Sequence, residues 1–540
     1  MLEWACLVEE DEGATVVAVV GTTPVWFDKV GSDYTARYGA DTQFKLRHDV
    51  ANEKFEVTSQ GGSSVTRWKF HDFAQAGSPK GAMVERMDPS GLKTTVEAYQ
   101  NGTNKIKEMK REVVADGKTT VHRLDYEYNA NDHITSALIR KQVDAGEWTH
   151  LRRSEYEYYG SSESGGNEGD LKRMTMQEPG TSGGSSSSSS SSSPDDWSCV
   201  GQTYCRYYKD GQAKGFEHGL KYYVGSEAYA RMVRDSIDPL TASDEVLAAY
   251  ADRYVEYEEN PVSPHYRGVT KDVSQNCSGC GGGGSGGGTG DLGETYVRTS
   301  NPNNPADGYN IWKWKTVRTM ADGLQEIYFC NHLGQVMLKI ELHQSDPSRR
   351  WITFHQYDDN GREILTAMPS AVTGYDEAED DLLAWDAGES KYLYLRDDQG
   401  LIHVTDYYSS TTATDTTPGG VAGYVQFSKV KEGQLGDEIK LSEMNYIERE
   451  DDDDNVVYPV ANQLGYPSES NQSLKIETSQ AYTWHGDTLQ LKERTTTLPE
   501  ISTAQHGDDT SATRKDYHDE YGNLTWQMDE RGYITHSVYN

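Results

Sequence analysis

Residues 517–540 read YHDEYGNLTWQMDERGYITHSVYN, and within them an acidic residue followed three places later by glycine occurs twice, at Asp519 with Gly522 and at Asp529 with Gly532. A type I turn favours Asp or Asn at its first position and Gly at its fourth, where a left-handed backbone costs any residue with a β-carbon. The same spacing recurs at Asp88 with Gly91, Asn331 with Gly334, Asp358 with Gly361 and Asp397 with Gly400. Pro89, at the second position of the first of these, is also what a type I turn prefers. Turns of one kind repeated along a chain predict a repeat architecture.

The flanks of the turns alternate. After Gly334, QVMLKIELH sets Val336, Leu338, Ile340 and Leu342 on one face, the period of a strand buried on one side. Elsewhere the pattern is aromatic, polar, aromatic, as in Tyr126-Glu127-Tyr128, Tyr156-Glu157-Tyr158 and Tyr392-Leu393-Tyr394, so that both rings share a face. A longer register links turn to turn: Asp397 is followed by Gly400 and Tyr407, Asp529 by Gly532, Thr535 and Tyr539, and Asp88 by Gly91, Thr94 and, one place late, Tyr99. Helix is predicted only in 226–257, where Ser243 is an N-cap ahead of Val246, Leu247, Tyr250 and Tyr254 on one face, running into a strand at 254–257, and where SEAYARMVRDS makes a second short helix.

Composition agrees with half-buried strands. Of 540 residues only 35% are apolar, yet 36 Tyr stand against 9 Phe, and tyrosine buries its ring while its hydroxyl stays wet. The net charge of −35, from 86 acidic and 51 basic residues, repels nucleic acid and anionic lipid. No run approaches the eighteen or so apolar residues of a membrane helix. The start, MLEWACLVEEDEG, is acidic where a signal peptide is basic, although an N-terminal portion missing from the chain would hide such a signal.

Two low-complexity tracts, SGGSSSSSSSSSPDD within 161–196 and GCGGGGSGGGTGD within 277–291, are expected to be flexible loops or linkers. They divide the chain into an N-terminal β-repeat region at 1–160, a β segment with short helices at 197–276 and a β-repeat region at 292–540.

YDDNGREI, MDPSGLKTT and the terminal stretch resemble the YD repeats of the bacterial RHS family, in which a tyrosine-aspartate pair, a glycine, an aliphatic strand, a threonine and another tyrosine recur. The clear copies lie in 71–160 and 325–540; the order of FDKVGSDYTARY, ASDEVLAAYADRYVEY and LKERTTTLP is similar to uncharacterised RHS proteins over nearly the whole chain. The resemblance implies a mainly β fold of antiparallel hairpins, spiralling into a β-sheet shell or open spiral. It further implies a segment of a longer bacterial surface or secreted protein, toxin-related, with other RHS segments or an enclosed polypeptide as partners. The sequence departs from the family at Tyr128-Asn129 and Cys330-Asn331, where tyrosine-aspartate is expected. Tyr539-Asn540 stands where another pair would begin, so the last strand is expected to present an edge covered from outside this sequence.

Candidate chemistry is weighed against that frame. Asp88-Pro89-Ser90-Gly91-Leu92 matches the motif that ends the family's self-cleaving core, but it lies near the N-terminus and in register with the turns. Residues 281–287 satisfy glycine-rich and nucleophile-elbow patterns around Ser285 without a strand before or a helix after. The acidic run 451–454 with Asn455 starts like a calcium loop but has Val456 where glycine is needed and Asn462 where the bidentate glutamate belongs. His518 beside Asp519 suggests a dyad, and Trp312 with Trp314 a sugar-stacking pair, though turn and core roles suit them better. Cys199 with Cys205 and Cys277 with Cys280 leave three states open: a zinc site, disulfides or free thiols. The reading is a non-enzymatic scaffold that encloses, displays or adheres, with no catalytic, cofactor-binding or metal-ligating residue assigned. The alternatives are a glycan- or protein-binding adhesion module and a self-processing toxin-associated cassette.

Overall fold

The computed structural model describes residues 5–21, 24–37, 44–61, 64–100, 103–115, 117–180, 197–274, 292–452 and 455–539. It is mainly β, built from antiparallel strands that pair with their neighbours in sequence, with two short α-helices among the described residues. The chain forms two compact units, one of His122–Gln142 and Gly146–Ile352, the other of Leu2–Val121, Val143–Ala145 and Thr353–Asn540.

In the first unit a single meander runs through Thr149–Tyr158, Leu171–Pro179, Trp197–Tyr207 and Leu220–Val224, then through Arg253–Tyr257, Val269–Ser274, Leu292–Ser300, Trp314–Thr319, Leu324–Cys330 and Val336–His343. Both helices, α1 (Ser226–Arg234) and α2 (Asp244–Tyr250), sit between two strands that still pair with each other, Tyr222 with Tyr254. The predicted N-cap is in place: Ser243 Oγ accepts from Val246 N at 3.4 Å. The helices close over the sheet because Ala228, Met232 and Leu247 bury completely against Tyr204 and Val224. Elsewhere Phe329, Leu338 and Ile340 are fully buried, with Trp312 edge-on to Phe329 at 5.2 Å. A register shift beside Cys330 adds Met337 to that buried set, which strict alternation from Val336 would place on the opposite face.

The second unit begins with a four-stranded sheet, Cys6–Glu10, Thr15–Val19, Pro24–Val30 and Asp33–Ala36. It joins the following meander, Phe44–Asp49 to Ile106–Ala115, where Leu7 N donates to Gly81 O at 2.8 Å. A further meander runs from Glu363–Ala367 to Ile534–His536, interrupted at 368–400 by an irregular segment whose Leu382 and Leu383 are fully buried. These meanders meet: a β-carbon on Gly91 would lie 2.9 Å from the Leu489 carbonyl carbon, and one on Gly522 would lie 3.0 Å from Ser90 Cβ.

Both low-complexity tracts fall within the Gly146–Ile352 stretch of one compact unit. Residues 181–196 and 275–291 lie outside the described residues, but their flanks are paired strands: Pro179 faces Trp197, and Ser274 faces Leu292. The strands that flank each tract are therefore antiparallel neighbours in the ladder. The first tract is also shorter than its composition implies, since 161–180 is folded. Gly165 and Gly166 lie against Tyr159, where a β-carbon would come within 2.7 Å of its hydroxyl and 2.4 Å of its ring, respectively. Glycine there serves close packing rather than flexibility.

Candidate functional site

The repeated local structure is the turn. In five of the six predicted turns the glycine N–H donates to the carbonyl of the turn's first residue: Gly91 to Asp88, Gly334 to Asn331, Gly361 to Asp358, Gly522 to Asp519 and Gly532 to Asp529, at 2.9–3.0 Å. All six glycines have φ between +72° and +86°. The acidic or amide residue is required for a separate reason. Its side-chain Oδ1 accepts the backbone N–H groups two and four places on, at 2.8–3.2 Å in each of the five. One short side chain thus satisfies two amides that the tight loop withholds from the ladder. The sixth turn differs: the Asp397 carbonyl accepts from Leu435 N and the Gly400 carbonyl from Gly433 N, so it docks on the neighbouring loop. Asn129 makes the same pair of side-chain bonds to Asn131 N and His133 N, with Asp132 at φ +61° in place of glycine. The lack of a glycine hid that turn from the sequence pattern.

The repeat tyrosines have an equally specific task. Tyr158, Tyr207, Tyr257, Tyr357, Tyr407 and Tyr446 each pair with the first residue of the next strand, and a one-residue register shift follows at once. Such a bulge withdraws a carbonyl from the ladder at the strand's start. Tyrosine hydroxyls answer it from the other side: Tyr99 donates to Met83 O, Tyr158 to Ile134 O, Tyr257 to Leu220 O, Tyr407 to Glu363 O, Tyr446 to Val425 O, Tyr482 to Val460 O and Tyr539 to Leu524 O, at 2.5–3.0 Å. Every acceptor is the first residue of the preceding paired strand. Burial raises the phenols of Tyr99, Tyr158, Tyr257, Tyr407, Tyr446 and Tyr482, to about 12 at Tyr158, Tyr446 and Tyr482.

Turn and packing roles occupy the residues singled out for chemistry. Asp88 binds Ser90 N, Ser90 Oγ, Leu92 N and, at 3.3 Å, Arg111 Nη2. Asp519 turns into its own loop, while the neighbouring His518 keeps its buried Nδ1 without a partner, and burial holds its imidazole below the ordinary value. The two do not form a dyad. Asp451 receives Asn455 N and Asn455 Nδ2 at 2.9 and 2.8 Å, so its carboxylate closes a loop; residues 453 and 454 lie outside the described residues. Trp312 is buried and Trp314 is 39% exposed near His265, so they offer no common platform. Cys199 and Cys205 are free, one exposed and one buried, on a single strand. Six residues of extended chain separate them by about 20 Å, beyond the reach of a disulfide or a shared metal. Cys277, Cys280 and the pattern around Ser285 lie outside the described residues. Among the described residues no group of three His, Cys, Asp or Glu converges as a metal site, and no helix is long and apolar enough to cross a membrane.

No protein-family model matches the chain, and no curated protein matches it. Among solved structures it is similar to a chain of the TcdB2-TccC3-Cdc42 crystal structure, at 8% identity and a TM-score of 0.18 over 96% of this chain. It is similar also to a chain of the TcdB2-TccC3-TEV crystal structure, at 10% identity and a TM-score of 0.18 over 99% of this chain. This chain spans 24% of the length of each.

Proposed function

We propose that this chain is a non-enzymatic scaffold, a YD-type segment of an RHS β-shell in a bacterial surface or secreted protein, whose work is to enclose or display another polypeptide. The observation that carries the reading is the use to which the repeat residues are put: carboxylates and amides close turns, glycines admit the left-handed backbone, and tyrosine hydroxyls cap strand starts. A repeat so employed specifies architecture, and its chemistry is directed inward at its own backbone.

Two experiments test it. Held for days at neutral pH, the intact chain and its Asp88→Asn variant should both keep their full mass; a fragment ending at residue 88 in the parent alone would point to the self-processing alternative. Expressed together with the coding sequence that flanks it, the chain should protect a carried polypeptide from trypsin until urea unfolds the sheet. Equal digestion before and after unfolding would sink the enclosing role.

A further inference from the structure

The unit containing Gly146–Ile352 holds a cavity of about 440 Å³, lined among others by Ser164, Arg206, Tyr207, Gln212, Lys221 and Asp244. Its charges come from three elements: Arg206 from Trp197–Tyr207, Lys221 from Leu220–Val224, and Asp244 from the first turn of α2. Two of them are nearly buried, the Arg206 side chain 12% and the Lys221 side chain 16% exposed. Both point at one carboxylate: Arg206 Nη1 donates to Asp244 Oδ1 at 2.9 Å and Lys221 Nζ to Asp244 Oδ2 at 2.6 Å.

The guanidinium is otherwise held by protein, with Nη2 donating to Ala242 O at 2.8 Å and both Nε and Nη2 to Tyr204 Oη at 3.1 Å. The ammonium is different. It has three hydrogens, of which Asp244 takes one, and it stands 5.1 Å from the Tyr208 ring centroid. Burial would raise the Asp244 carboxyl, but Lys221 and Arg206 hold it below the usual range, so the site is built of ionised groups. Two cations against one carboxylate leave a surplus positive charge in a chain whose net charge is −35. Glu245 also feels the Lys221 charge, but it is exposed and not among the cavity's lining residues. The cavity at Asp358, Arg362, Asp406, Lys431 and Glu438 has the opposite balance, three acids to two bases, so the surplus at Lys221 is local.

We propose that this cavity binds a small hydroxylated monocarboxylate, of the size and chemistry of an acidic monosaccharide. Its carboxylate meets the Lys221 ammonium and its hydroxyls face Ser164 and Gln212, with the Tyr207 ring as a wall. One surplus charge suits a monoanion, whereas a phosphate dianion would leave the site negative. The volume falls within the range of roughly 300–1,000 Å³ common to small-ligand pockets. This inference stands apart from the scaffold reading, and either can fail alone.

Isothermal titration of the full chain with D-glucuronate tests it, with D-glucose and inorganic phosphate as comparison arms. Glucuronate should saturate the site, with glucose and phosphate at least about tenfold weaker. Lys221→Met should weaken glucuronate by about tenfold or more, and Asp244→Asn should strengthen it several-fold, because the competing carboxylate is gone. The double variant Lys221→Met with Asp244→Asn, which leaves no stranded acid, should also lose binding, so a folding defect in the single variant cannot decide the matter. The proposal falls if glucuronate shows no saturation up to on the order of 50 mM, if glucose or phosphate matches it, or if Asp244→Asn weakens it with an unchanged melting curve.

Discussion

At the scale of single residues, the turn divides its work between an acceptor and a glycine. Replacing Asp519 by Ala strands the Tyr521 and Asn523 amides and should cost about 1–2 kcal/mol, whereas Asp519→Asn, which keeps the Oδ1 acceptor, should cost much less. Urea unfolding of the two variants checks this, and equal losses would contradict it. Glycines at similar φ should respond unequally. Gly532 has open space where a β-carbon would stand, so Gly532→Ala should cost about 1 kcal/mol of backbone strain. A β-carbon at Gly400 would lie 2.3 Å from Ser370 O, so Gly400→Ala must displace backbone and should cost several times more, read as the shift in the same urea midpoint. The spacing of Asp and Gly was legible because both roles need those residue types. The turn at Asn129 was not, because Asp132 tolerates the left-handed region without announcing it.

At the scale of elements, the sequence showed tyrosines in register but not their targets, since a backbone carbonyl leaves no mark in the sequence. The capping bond is testable: Tyr407→Phe keeps the ring and removes only the donor to Glu363 O, and should cost about 0.5–1.5 kcal/mol in denaturant unfolding. No change would mean that water replaces the hydroxyl. For the low-complexity tracts, composition speaks to what lies between two strands and is silent on whether those strands pair. Because Pro179 faces Trp197, excising the serine run 185–193 leaves the loop ends where they are. The change in stability should stay below about 1 kcal/mol, as expected when a loop is roughly halved. A larger loss would show that the tract does more than connect. The helices, by contrast, followed from Ser243 and the apolar face of α2, which local propensity dictates.

At the scale of the whole molecule, the density of buried phenols sets a pH limit. Burial raises Tyr158, Tyr222, Tyr446, Tyr458 and Tyr482 from 10.0 to about 12. Above pH 10 the unfolded chain releases these protons while the folded chain keeps them, so the unfolded state binds fewer and stability falls as pH rises. The contribution is fully present below pH 10 and lost between about 10 and 12. A urea midpoint that stayed level from pH 9 to 12 would contradict it. Two compact units suffice for 540 residues because hairpins that pair with their neighbours let a sheet lengthen without a new core. The candidate site was only half legible: its turn residues could be read from spacing, whereas the cavity at Lys221 joins positions from Ser164 to Asp244 that no local pattern relates.

The tyrosine cap recognises a carbonyl, a group that every residue carries. The partner strand is therefore free to change its side chains, and even the path between the two anchors is free to change. Tyr257 and Leu220 show how far this goes, since both helices stand in the chain between them and the bond still forms at 3.0 Å. In evolutionary terms the cap is a permissive splice point: new chain can be inserted between capped strands, and acquire a task of its own, without renegotiating the sheet that carries it.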